Sequence, residues 1–76
     1  MKNSPTLTRS VLHPDSNKAA AMDPAGHWLS YSEVPILGEV GWEKQPGTVC
    51  FRIPPSRAPE WTGEWRDSLV VFTAED

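Results

Sequence analysis

Apolar and polar residues alternate most cleanly over residues 48–53, where Val49, Phe51 and Ile53 share one face and Thr48, Cys50 and Arg52 the other. A period of two predicts a half-buried strand. Residues 69–72, Leu-Val-Val-Phe, are apolar on both faces, which suits a central strand covered from two sides. The two stretches are expected to pair, and Val49, Phe51, Val71 and Phe72 to lie in the core.

Weaker patterns fill the rest of the chain. Residues 39–43 read as a short strand with Val40 and Trp42 on one face. Gln45-Pro46-Gly47 reads as a tight turn, because proline presets one corner and glycine takes the left-handed one. Together they predict a hairpin between 39–43 and 48–53. Residues 27–32 fit a strand that places Trp28 opposite Leu29 and Tyr31. Residues 6–12 alternate well enough for an edge strand, with a disordered arm as the alternative. Pro35 confines the apolar residues around it to an edge or bend.

Two stretches read as punctuation: His13-Pro-Asp-Ser-Asn17 and Asp23-Pro-Ala-Gly26. Between them, residues 18–22 (Lys-Ala-Ala-Ala-Met) favour helix but allow little more than one turn before Pro24. The expected fold is mainly β, or a small α+β variant. It has three to five short antiparallel strands, at most one short helix and long proline-rich loops. Residues 1–5 and 74–76 are expected to be flexible, and 6–73 to form a single small domain in which 6–25 could be a loosely attached arm.

Composition narrows the classes. Seventy-six residues allow one thin core. The lone Cys50 forbids an intrachain disulfide and points to a reducing cytoplasm. No apolar run approaches the ~20 residues of a membrane span, and no signal peptide is evident. The net charge is −3, and residues 33–76 carry four basic against eight acidic groups. That balance argues against gripping duplex phosphates by bulk charge.

The most distinctive stretch is 54–67, with Trp61 and Trp65 among prolines and charges. The two indoles fall on one side if residues 59–67 form a helical turn. Arg52, Arg57 and Arg66 lie nearby in sequence, and arginine pairs well with indole faces. Tryptophan and arginine dominate binding hot spots, so these five residues are the candidate partner-binding surface. Glu60, Glu64 and Asp67 interleave with them and temper the positive field. Trp28 and Trp42 are expected in the core.

Catalytic equipment is sparse. No nucleophile elbow, phosphate loop or zinc-hydrolase helix is present. His13, Asp15, Asp23, His27 and Cys50 lack metal-ligand spacing, so neither a metal nor another cofactor is expected. Cys50 reads as an inert strand residue.

The leading expectation is a non-enzymatic module that binds a larger intracellular protein as regulator or inhibitor. Met1 opens what reads as a stand-alone chain. Small free-standing regulators, many of them encoded by bacteriophages, supply an analogy in which the target is a host enzyme such as RNA polymerase or a nuclease complex. Two alternatives stand beside it. One is a single-stranded nucleic-acid binder that stacks bases on tryptophan and arginine. The other is a structural subunit of a virion or complex, self-associating through strand edges.

Overall fold

The computed structural model describes residues 7–72. The expected flexible ends, 1–5 and 74–76, lie outside the described residues. The fold is mainly β, with six short strands in two antiparallel sheets among the described residues. The strands are β1 (Ala19–Met22), β2 (Trp28–Tyr31), β3 (Ile36–Leu37), β4 (Trp42–Glu43), β5 (Cys50–Arg52) and β6 (Val70–Val71). The larger sheet runs β5-β2-β1-β6, and β3 pairs with β4 in the smaller one.

β1 is an inner strand of the larger sheet, where a helical turn was expected. Ala19, Ala20 and Ala21 are fully buried and pair with β2 on one side, and Ala19 and Ala20 pair with β6 on the other. Their helix propensity loses because so short a helix costs more to nucleate than it returns in hydrogen bonds. The extended form instead satisfies the backbone from both neighbours. Methyl side chains also leave room for large groups to close over both faces of the sheet.

The β1–β2 connection forms where its sequence predicts a turn. The Gly26 N–H donates to the Asp23 carbonyl at 3.0 Å, and Gly26 has φ 92°. The His27 N–H donates to the Asp23 carboxylate at 2.8 Å. A type I turn closed by a left-handed glycine is a standard three-residue hairpin loop.

Each face of the larger sheet has its own core. Leu12, Ala20, Trp28, Ile53 and Phe72 form one cluster, against which Val11, Met22 and Trp61 pack. Ala19, Ala21 and Tyr31 form the other, covered by Leu29, Val34 and Trp42. Burying each of Leu12, Trp28, Ile53 and Phe72 contributes about 1.5–3 kcal/mol or more.

Several expected pairings are corrected. The Gln45-Pro46-Gly47 turn forms, with the Thr48 N–H on the Gln45 carbonyl at 3.0 Å and Gly47 at φ 81°. It does not close a hairpin, because it carries the chain from the smaller sheet to the larger one. β4 pairs with β3, and β5 pairs with β2. β5 and β6 do not pair with each other, because they are the two opposite edges.

Edge position also changes the expected core. Val49, Phe51 and Val71 are 43%, 36% and 48% exposed, whereas Phe72 is buried as expected. Val40 does not share a buried face with Trp42, because it sits 90% exposed at the tip of the β3–β4 hairpin. Within the described part of residues 6–12 there is a 3-10 turn, Arg9–Val11, in place of an edge strand. The stretch that could be a loosely attached arm, 6–25, contains in its described part both buried Leu12 and the inner strand β1.

Candidate functional site

The five candidate residues divide between the two faces of the sheet. Of residues 59–67, only Trp65–Asp67 form a helical turn, of the 3-10 kind, so Trp61 lies upstream of it in irregular chain. Trp61 packs against the cluster around Trp28 and Ile53. Trp65 meets Trp42 edge-on, with centroids 6.0 Å apart and planes at 82°. Trp42 belongs to the opposite cluster.

Trp65 and Arg66 act together as a clasp. The Arg66 guanidinium lies 4.5 Å from the centre of the Trp65 ring. It also donates to the Glu39 carbonyl at 3.0 Å, tying down the β3–β4 hairpin loop. The Trp42 indole N–H donates to the Met22 carbonyl at 3.1 Å, which fixes the same hairpin to β1. Both side chains therefore have partners within the fold.

Arg57 and Trp61 are brought to the other side, and Arg52, which leaves edge strand β5 on the Leu29 face, borders the same clefts from that edge. Two clefts lie beneath residues 54–61 and meet at Arg52 and Ile53. The first, about 280 Å³, is bounded by Trp28, Trp61, Pro55 and Pro59, with Glu60 also lining it. The second, about 270 Å³, is bounded by Leu12, Pro14, Phe51, Pro54 and Arg57. Together they make one furrow floored by Ile53.

Trp61 holds its place by folding back on its own chain. Its indole N–H donates to the Glu64 carbonyl at 3.0 Å. A Cβ on Gly63 would sit 2.7 Å from the indole ring, so only glycine fits there without moving it.

A ring stack that no local pattern announced lies on the furrow bank. His13 and Phe51 are parallel within 8°, with centroids 3.8 Å apart. The His13 turn is held by the Asp15 N–H on its Nδ1 at 3.0 Å and by the Ser16 N–H on its carbonyl at 2.9 Å. The signal was divided between a turn and a strand distant in sequence, so neither segment alone could show it.

Beneath the stack, the Ser16 and Ser30 hydroxyls meet at 2.7 Å, and the Ser30 hydroxyl lies 3.3 Å from the Phe51 carbonyl. Both serines are buried, so their polarity is spent inside the fold.

Arg52 and Arg57 are the uncommitted arginines bordering the furrow. Among the described residues neither has an ion pair or a hydrogen-bonded side-chain partner. By contrast, burial pushes the Cys50 thiol above its ordinary pKa while Lys44 pulls it the other way. A protonated thiol is a weak nucleophile. Among the described residues no three His, Cys, Asp or Glu side chains gather as metal ligands, and no helix is long and apolar enough to cross a membrane. Compared with known proteins, the chain matches no family model, no curated protein and no solved structure.

Proposed function

We propose that this protein is a non-enzymatic binding module that occupies a surface of a larger cytoplasmic protein, regulating or inhibiting it. The observation that carries this reading is the furrow: Arg52 and Arg57 stand unpaired beside the Phe51–His13 stack and Trp61, over an apolar floor. Aromatic and arginine side chains at the rim of a partly apolar depression are the residues that carry most binding energy in protein interfaces. The Trp65–Arg66 clasp supports the reading indirectly, because it engages those two side chains within the fold and leaves Arg52 and Arg57 as the candidate arginines without a partner among the described residues.

Affinity capture from bacterial cytosol tests it, with and without nuclease, comparing the natural chain with an Arg52→Glu/Arg57→Glu variant of unchanged melting temperature. A stoichiometric protein that survives nuclease and disappears with the variant is the expected result. Capture indifferent to the variant would move the interface elsewhere and overturn the furrow's role.

One observation favours a second reading. A stacked ring pair beside free guanidiniums also suits single-stranded bases. Glu60 on the furrow wall and Asp15 in the His13 turn weigh against a long polyanion lying there. Loss of the captured material on nuclease treatment would favour this reading.

A further inference from the structure

The ligand chemistry of the furrow follows from an inventory of its donors, given that it is a binding site as proposed above. Pro14, Pro54, Pro55 and Pro59 line it and have no backbone N–H. The Ser30 hydroxyl is engaged inside the fold, His13 Nδ1 accepts from Asp15, and the Trp61 indole N–H is spent on Glu64. The charged donors left without a partner among the described residues are the guanidiniums of Arg52 and Arg57. A guanidinium offers a planar fork of donors and no acceptor, which matches a carboxylate.

The remaining surface is apolar: Ile53 in the floor, Phe51 and the proline rings on the banks, Trp28 and Trp61 at the far end. A free inorganic anion would leave that surface unused. A nucleic-acid strand would bring repeated charge past Glu60. A peptide carrying both carboxylate and apolar side chains uses both parts of the furrow.

We infer that the furrow takes an extended acidic peptide segment of a partner protein, its carboxylates on Arg52 and Arg57 and its apolar side chains over Ile53 between Phe51 and Trp61. The overall charge of −3 makes the two arginines a local exception on an acidic protein, so an acidic segment is repelled by the rest of the surface and attracted here.

The test is an NMR titration of the full chain, following arginine Nε–H, indole N–H and isoleucine methyl signals. The probes are a short peptide alternating glutamate with leucine, its glutamine counterpart and oligothymidylate. The glutamate peptide should shift Arg57, Trp61 and Ile53 saturably and bind at least about tenfold more tightly than the glutamine peptide. Arg57→Gln should lose that margin without changing the melting temperature, and Arg66→Gln, on the other side of the sheet, should keep it.

Equal affinity for the two peptides, or no binding of either, would overturn the inference. So would oligothymidylate binding the same residues more tightly, which would assign the furrow to nucleic acid. If the peptides fail while the Arg52→Glu/Arg57→Glu variant still loses a captured protein, the binding module stands and only its ligand chemistry falls. If both fail, both readings fall.

Discussion

The β1–β2 ribbon and the β3–β4 hairpin are both antiparallel pairs joined by glycine-containing turns, yet they sit at opposite extremes of burial. In the ribbon, Ala19, Ala20, Ala21, Trp28, Ser30 and Tyr31 are all buried. In the hairpin, Ile36, Leu37 and Val40 are exposed although all three are more hydrophobic than alanine. Hydrophobicity did not decide which pair became the interior. Neighbours on both sides did, because β1 and β2 each pair with two strands while β3 and β4 each pair with one. Small side chains in the inner strand let aromatic groups from elsewhere close over it, and the hairpin contributes chiefly Trp42 to that cover.

The sharpest test of the contrast is truncation of the cover on the ribbon. Phe72→Ala should cost about 3–5 kcal/mol, a large part of the 5–15 kcal/mol typical of a domain. Urea denaturation would read it, and a cost under about 1 kcal/mol would break the comparison.

Alkaline pH attacks the other face of the ribbon. Burial, with smaller contributions from Cys50 and Asp23, pushes the Tyr31 pKa up to about 12 from its ordinary 10.0. The folded state thus favours the neutral phenol more than the unfolded state does. Its contribution is present in full below pH 10 and is lost as pH rises from there towards 12, by about 2–3 kcal/mol. Stability measured across that window should fall in the natural chain and fall less in Tyr31→Phe.

The seam between the regions gives a smaller effect. The Ser68 hydroxyl accepts the Met22 N–H at 2.7 Å and donates to the Trp65 carbonyl at 2.6 Å. Ser68→Ala leaves the Met22 N–H unpaired where Ser68 is buried, at about 1–3 kcal/mol, while the Trp65 carbonyl keeps the Ser68 backbone N–H at 3.2 Å. A lowered denaturation midpoint with an unchanged slope would confirm it. At the hairpin tip, Val40→Ser should stay within about 0.5 kcal/mol, and a larger loss would show that the tip is covered in solution.

Much of the punctuation was legible in the sequence. The turns at Asp23–Gly26 and Gln45–Thr48 rest on local φ preferences, and both form. The β class, β2 and the buried Trp28 were legible for the same local reasons. The partners of each strand were not, because pairing is decided by which segments compete for an edge. Ala19–Met22 carried a helix signal that two flanking strands overrode. At the site, Arg52, Arg57 and Trp61 were reached through their residue types. Their separation from Trp65 and Arg66 depended on where one 3-10 turn begins, and the Phe51–His13 stack on two segments meeting in space.

The three alanines of β1 carry a final consequence. Sliding that strand by one residue would still put alanine on alanine at two of its three alanine positions. Identical side chains hold no address, so the alignment must be set from outside the strand. The Asp23–His27 turn fixes one end, the buried Ser16–Ser30 contact steadies the other, and Ser68 grips Met22 from across the sheet. Substitutions at those anchors should therefore yield a mixture of alignments, visible as doubled NMR signals along β1, before they yield an unfolded chain.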